Sequence, residues 1–183
     1  MLRNLLIICT MALFAVSCKS PEARRPVKST SGSFIKESVE RNKKIYEQER
    51  AVISSIIKED GDRDYLASEN GFWYYYNTKD STSTISPKLG DAVTFTYDIK
   101  QLNGDVVLSK EENGLQNYRI DKTNQELISG IRDGLKFMKA GETVTFLFPS
   151  YKAYGYYGIK NKLGTNVPVQ STVTLVTIQT IKN

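Results

Sequence analysis

The segment from Phe148 to Leu175 holds the residues best suited to chemistry. Tyr151, Tyr154, Tyr156 and Tyr157 place four phenols within seven residues. A phenol joins an apolar ring to a hydroxyl donor, so such a loop can set a donor at the mouth of an apolar cavity with aromatic walls around it. Pro149 ends the strand before the loop, because proline cannot donate to a sheet ladder. Gly155 and Gly158 then give the backbone conformations that other residues avoid. A polar flap leads to Val167-Pro168-Val169-Gln170-Ser171-Thr172 and an apolar strand. The competing assignment is a tyrosine-rich surface loop between two strands.

Other chemistries are excluded by what the chain lacks. It has no histidine, which removes a Ser-His-Asp triad, a Cys-His pair and histidine zinc motifs. Its two cysteines, Cys9 and Cys18, lie near the N-terminus, away from the body of the chain. Neither a phosphate loop of the Gly-X4-Gly-Lys-Ser/Thr type nor a Gly-X-Gly-X-X-Gly fingerprint is present. The expectation is a site without metal, nucleotide, cofactor or imidazole. A net charge of +5, with Lys and Arg interleaved among Asp and Glu, offers no concentrated patch for nucleic acid.

The elements that must position the loop follow from periodicity. At 183 residues, 40% hydrophobic and 25% charged, the chain suits one globular domain plus an appendage. Gly71 to Tyr76 reads as an aromatic strand with one packed face, and Pro87-Lys88-Leu89-Gly90-Asp91 as a turn. Val93, Phe95, Tyr97 and Ile99 alternate with Thr94, Thr96, Asp98 and Lys100 along the next strand. Asn103-Gly104 signals a two-residue hairpin returning through Val106, Val107 and Leu108. Tyr118 to Ile120 forms a short strand. Ile128, Ile131, Leu135 and Met138 then give a helical stripe over about Gln125 to Met138. Gly130 and Gly134 lie one turn apart on that helix and suggest that it is pressed against a sheet, or is short and strained. Val144, Phe146 and Phe148 mark the buried side of the following strand. Val173 to Ile181 is apolar on both faces and reads as central. The fold class is α+β: an antiparallel half-barrel sheet wrapped on one short helix.

Upstream, positions 35, 39, 42, 46, 49, 53 and 56 make a heptad seam of Ile, Val, Asn, Tyr, Glu, Ile and Ile. A helix over Phe34 to Gly61 would be about 40 Å long, with Ser33 as N-cap and Gly61 as stop. Asn42 and Glu49 interrupt the seam. The helix either pairs with a second copy or lies along its own domain. Lys19 to Ser33, with two prolines, one glycine and four serines, reads as a tether. Before it, Arg3 and the apolar run Leu5 to Val16 form a secretory signal over residues 1–17. Ala15-Val16-Ser17-Cys18 looks like a bacterial lipobox with Cys18 the lipidated residue. The alternative is cleavage after Ser17, leaving a soluble protein with a free thiol. Lys19 after the cysteine resembles an outer-membrane destination in the cell envelope, facing the periplasm.

Pro149-Ser-Tyr-Lys-Ala-Tyr-Gly155, followed by Val167-Pro168 and a final strand, resembles the FKBP-type peptidyl-prolyl isomerases. The Pro-X-X-Gly-Asp turn, the Asn-Gly hairpin, Leu127-Ile128-X-Gly130, Asp133-Gly134-Leu135 and Met138-Lys-X-Gly141-Glu occur in the order and spacing of that family, covering 71–183. With the lipobox, tether and helix, the chain looks most like gliding-motility-associated FKBP-type lipoproteins of the Bacteroidetes.

The resemblance implies the roles. Tyr97 falls on the pocket tyrosine and Tyr154 on the hydrogen-bonding tyrosine. Leu127 and Ile128 fall at the pocket edge, Ile131 at its floor, and Val167 and Leu175 on its wall. Val107 and Leu108 stand where the family carries a Phe-Asp pair, so one wall is aliphatic and lacks its carboxylate. Tyr118 is a candidate aromatic nearby. The implied partners are proline-containing polypeptides, a bilayer reached through acylated Cys18, and a second copy through the N-terminal helix. Two functions follow: an isomerase assisting the folding of envelope proteins, or a weakly active or inactive binding module of a motility complex.

Overall fold

The computed structural model describes residues 31–122 and 127–180, with side chains from Phe34 onward. The signal, Cys18 and most of the tether lie outside the described residues, as does Gln125, the expected start of the second helix. The chain divides into two compact units, Met1–Glu37 and Ser38–Asn183, and the division falls inside the first helix.

That helix, α1, spans Ser31–Glu59, so Ser33 lies within it and is not its cap, and it stops two residues before Gly61. Among the described residues eight strands follow: β1 (Leu66–Ala67), β2 (Trp73–Thr78), β3 (Ala92–Tyr97), β4 (Ile99–Gln101), β5 (Val106–Leu108), β6 (Gln116–Arg119), β7 (Thr143–Phe148) and β8 (Val169–Gln179). They form one antiparallel sheet in the order β1-β2-β7-β8-β3-β6, with β4 paired to β8 and β5. Two short helices interrupt them, α2 (Lys110–Asn113) and α3 (Ser129–Leu135). The expected half-barrel around one short helix is the architecture found.

The turn at Pro87–Asp91 is built as its residues require. Gly90 adopts φ of +89°, and the Asp91 carboxylate accepts the Lys88 N–H at 2.8 Å. The hairpin at Asn103-Gly104 differs from the two-residue form. Gly104 N–H donates to Gln101 C=O at 2.9 Å, and only Gly104 of that pair has positive φ, +95°. Gln101 N–H reaches Asp105 C=O at 2.8 Å, which makes this a type I turn closed by a glycine bulge. Asn103 favours either turn, so the dipeptide alone does not separate them.

β8 is central, as expected, but for another reason. Between Thr94↔Thr177 and Phe95↔Leu175 the register shifts, leaving Val176 as the extra residue of a bulge. Val173 and Leu175 are buried and Val176 is exposed. The apolar residues on both apparent faces arise from this change of phase. Farther along β8, Thr172 and Thr174 pair with Thr145 and Thr143 through hydroxyl contacts of 3.0 Å each.

The helix α3 is shorter than its apolar stripe, because Gly134 and Leu135 already accept the N–H groups of Phe137 and Met138 at 3.3 Å in tight turns. Its glycine face lies on the sheet. A Cβ at Gly130 would stand 2.5 Å from the Phe148 ring, and one at Gly134 would stand 2.7 Å from the Phe146 ring. Phe146 and Phe148 stack with centroids 5.3 Å apart, and Phe72 meets the Phe148 ring edge-on at 5.3 Å.

Both faces of β7 are covered, since Thr145 and Leu147 are buried along with Val144, Phe146 and Phe148. Tyr75 alternates to the face opposite Tyr74 and Tyr76, is also buried, and meets Tyr65 edge-on at 5.0 Å. One packed face was expected for β2, and two are found because the connector after α1 comes back over the strand, setting Tyr65 and Arg63 against Tyr75. Within the second unit the seam positions Tyr46, Glu49, Ile53 and Ile56 turn inward to differing degrees, with Ile53 wholly buried. This half of the helix lies along its own domain.

Candidate functional site

The loop after β7 begins at Ser150, which opens a single 3-10 turn through Lys152. The Ser150 carbonyl accepts two backbone N–H groups, from Ala153 at 2.9 Å and Gly155 at 2.8 Å. Those bonds bracket Tyr154. Gly155 has φ of +52°, and its carbonyl accepts the Asn166 N–H at 2.8 Å, which draws the far end of the flap back to the loop. Gly158, at φ of +60°, packs so closely that a Cβ would stand 2.3 Å from the Leu163 carbonyl oxygen. Ile159 and Leu163 form an isolated antiparallel bridge, and Leu163 joins the core. The flap is therefore tucked under by two apolar residues four apart in an otherwise polar run.

Of the four tyrosines, the fold selects one. Tyr151, Tyr156 and Tyr157 are 50%, 70% and 90% exposed, whereas Tyr154 packs against the hydrophobic core. Tyr97, at the end of β3, packs against the same core and interacts electrostatically with Tyr154. Burial pushes both hydroxyls above the ordinary phenol range, and for Tyr154 the proximity of Tyr97 adds to the effect. Both remain protonated donors through neutral pH. Among the described residues neither hydroxyl is hydrogen-bonded to protein, so each is available to a ligand carbonyl.

The other expected site residues gather in one cluster. Val107, Ile128, Ile131 and Leu175 are buried in it, and Leu108, Leu127 and Val167 pack against its margin. Ile131 is fully buried on α3. Tyr118 also belongs to the cluster, but it pairs with Val93, while Gln116 pairs with Phe95 nearer the Tyr97 end of β3. Its hydroxyl accepts the Asp121 N–H at 3.3 Å. Tyr118 is thus buried in the same cluster as Ile128, Ile131 and Leu175.

The surrounding elements hold this cluster in place. After Tyr97 the chain breaks at Asp98, whose carboxylate accepts the Thr172 N–H at 2.7 Å and whose carbonyl accepts the Ser171 hydroxyl at 2.7 Å. The Asn113 side-chain amide donates to the Tyr97 carbonyl at 3.0 Å. Ser109 caps α2 through its hydroxyl, and Glu112 of α2 is ion-paired with Lys162 of the flap. Lys152 forms a half-buried ion pair with Asp133 of α3 at 2.9 Å, fastening the tyrosine loop to the helix that carries Ile131.

Two contributors were not legible as such in the sequence: Ser150, and Glu49 of α1. The Glu49 carboxylate accepts the Ser150 N–H at 2.8 Å and the Ser150 hydroxyl at 2.6 Å. As a break in an apolar seam, Glu49 signalled only a weaker coiled coil. A carboxylate on the inward side of an amphipathic helix is also the mark of a buried hydrogen-bonding partner.

No group of three or more metal-binding side chains occurs among the described residues. No helix among them is long and apolar enough to cross a membrane.

The family model for FKBP-type peptidyl-prolyl cis-trans isomerases matches residues 83–176, just over half of the chain. The chain belongs to that family. Its matched span runs from before β3 into β8 and includes Tyr97, Ile131 and Tyr154. Among curated relatives, a probable FKBP-type peptidyl-prolyl cis-trans isomerase FkpA of Neisseria meningitidis serogroup B is 27% identical over 146 residues. That alignment takes in 80% of this chain and 52% of the relative, so the chain spans about half the length of the curated relative it matches. A peptidyl-prolyl cis-trans isomerase of Pseudomonas syringae pv. tomato shares the fold, with a TM-score of 0.59 and 19% identity, over 75% of this chain and 96% of that one. FkpA from Escherichia coli gives a TM-score of 0.58 at 21% identity, over 97% of this chain and 82% of its own.

Proposed function

We propose that this chain is an exported, lipid-anchored peptidyl-prolyl cis-trans isomerase that assists the folding of cell-envelope proteins, those of gliding motility among them. One observation carries the catalytic part: the fold draws Tyr154 alone of four loop tyrosines onto an apolar cluster beside Tyr97 and keeps both phenols protonated. Rotation about an X-Pro bond crosses about 18–20 kcal/mol of amide resonance and forms or breaks no covalent bond. Such a reaction calls for a dry socket that grips the proline ring, supplied here by Ile128, Ile131 and Leu175, and favours the twisted amide. The Tyr154 hydroxyl holds a neighbouring carbonyl while the bond turns. A protease-free isomerisation assay on proline peptides, with the chain from Lys19 onward and Tyr154→Phe as control, tests this. Acceleration that falls in the variant is the expected result, and none from a folded domain overturns it.

A second reading rests on Val107 and Leu108. Both sit in or against the cluster and make one wall aliphatic, without a carboxylate. A pocket so altered would serve as a proline-binding scaffold of a motility complex with little turnover. Peptide binding without acceleration would select it.

Export, the lipid on Cys18 and an outer-membrane position facing the periplasm rest on the sequence up to and including Lys19. Cys18→Ala should release the protein from the membrane fraction. Pairing of two copies through α1 is supported by the seam positions Ile35 and Val39, which are 65% and 60% exposed on that helix. Val39→Glu should then halve the mass in solution, and an unchanged mass argues against pairing there.

A further inference from the structure

We infer that Glu49 is a positioning residue for the tyrosine loop, so that α1 completes the site and does not merely connect it to the tether. The inference rests on the isomerase reading for its catalytic arm only.

Ser150 is a hydrogen-bonding hub. Its N–H and hydroxyl donate to the two oxygens of Glu49 at 2.8 and 2.6 Å, across 101 positions of sequence. Its carbonyl accepts the N–H groups on either side of Tyr154, from Ala153 at 2.9 Å and Gly155 at 2.8 Å. Every polar group of Ser150 is therefore committed, with two of its four hydrogen bonds made to α1 and two to the loop. Glu49 is 6% exposed and Ser150 is 3% exposed, so water is poorly placed to replace either partner. A buried carboxylate stripped of its donors is costly, which makes this contact directional and hard to rearrange.

A second pair of contacts repeats the attachment. Tyr46, one turn before Glu49 on α1, meets Tyr151 edge-on at 5.4 Å. The Tyr151 hydroxyl donates to the Gly71 carbonyl at 3.0 Å. On its other side the loop is fixed to α3 by Lys152–Asp133 at 2.9 Å and by the Ser129 hydroxyl on the Lys152 carbonyl at 3.3 Å. Tyr154 thus rides on a turn held between two helices. α3 lies inside the span matched by the family model, whereas Glu49 lies outside it. The N-terminal helix therefore adds a constraint that the catalytic domain alone lacks, and displacement of α1 is transmitted to Tyr154 through Ser150.

The test uses the chain from Lys19 onward as wild type, Glu49→Gln, Glu49→Ala, Ser150→Ala and the double variant Glu49→Ala/Ser150→Ala, with Val52→Ala as an exposed control on the same helix. Amide exchange at Ala153 and Gly155 is followed beside kcat and KM on a proline peptide. Glu49→Ala should speed exchange at those two amides about tenfold, leave the amides of β3 and β8 unchanged, and lower kcat more than it raises KM. Glu49→Gln, which keeps one acceptor, should recover part of both effects, and the double variant should fall short of the sum of the singles. If Glu49→Ala does not fold, Glu49→Gln and Ser150→Ala decide between the same outcomes. Unchanged exchange at Ala153 and Gly155 would overturn the inference. So would a loss of stability spread evenly over the domain with kcat intact. If the wild type shows no turnover, the isomerase reading fails, while exchange confined to the loop still tests the coupling.

Discussion

Gly130 of α3 lies against the face of Phe148, so close that a methyl group there would stand 2.5 Å from the ring. The ring has nowhere to retreat, because Phe146 stacks on it and Phe72 meets it edge-on, each at 5.3 Å. Gly130→Ala should therefore destabilise the domain by about 1–3 kcal/mol through overpacking, even though alanine is the better helix former by about 1 kcal/mol. The shift in urea midpoint measures it. A gain in stability would show that α3 can lift from the sheet at little cost.

Tyr154→Phe keeps the ring and removes the donor. Because that hydroxyl has no protein acceptor among the described residues, folding stability should change by less than about 0.5 kcal/mol. Turnover should fall about three- to tenfold, the worth of one hydrogen bond to a bound carbonyl. Thermal unfolding and the isomerisation assay together separate these effects, and an equal loss in both would place Tyr154 in the structure instead of the reaction.

Activity should be flat across neutral pH. The chain has no histidine, and the two site phenols are held above their ordinary range by burial. A rate profile from about pH 6 to 9 checks this, and a neutral inflection would point to a group outside the proposed site.

Alkaline stability gives a separate signature. Burial pushes Tyr65 and Tyr76 up to about 12, with the Tyr65 bond to Asp60 and the charge of Glu142 near Tyr76 contributing further. Unfolded phenols titrate near about 10, so above that pH the folded state binds more protons than the unfolded one. Stability from these groups is fully present below about pH 10 and is lost as pH rises through about 12. Denaturation midpoints across that window should fall, and Tyr65→Phe should make the fall shallower.

The aliphatic wall can be tested by reversal. Leu108 is only partly buried and packs at the cluster margin, so Leu108→Asp should be tolerated at a cost of about 1–3 kcal/mol. If the missing carboxylate limits turnover, this variant should be faster than wild type per folded molecule in the peptide assay. An unchanged or lower rate would show that the wall suits this chain's own clients as it stands.

Much of the fold was legible because side-chain direction follows backbone period. Val93, Phe95 and Ile99 alternate inward along β3 and β4, and the paired glycines of α3 announce a close approach that the aromatic rings confirm. Where the period slips, the reading slipped with it: the bulge at Val176 looked like a strand apolar on both faces. The gathering of Tyr97, Ile128, Ile131, Leu175 and Tyr154 was legible through family order and spacing, whereas the pairing of Tyr118 with Val93 was not, since it depends on strand register.

By itself the sequence determined the α+β class, a site chemistry free of imidazole, and the loop on which the donor had to lie. Only the tertiary structure decided that Tyr151, Tyr156 and Tyr157 stay exposed around an inward Tyr154, and that Glu49 is a partner of Ser150 instead of a flaw in a helical seam. The reason is physical. Periodicity and turn chemistry act over a few residues and are written locally, whereas burial and hydrogen-bond partners are set by elements far apart in the chain that meet only when it folds.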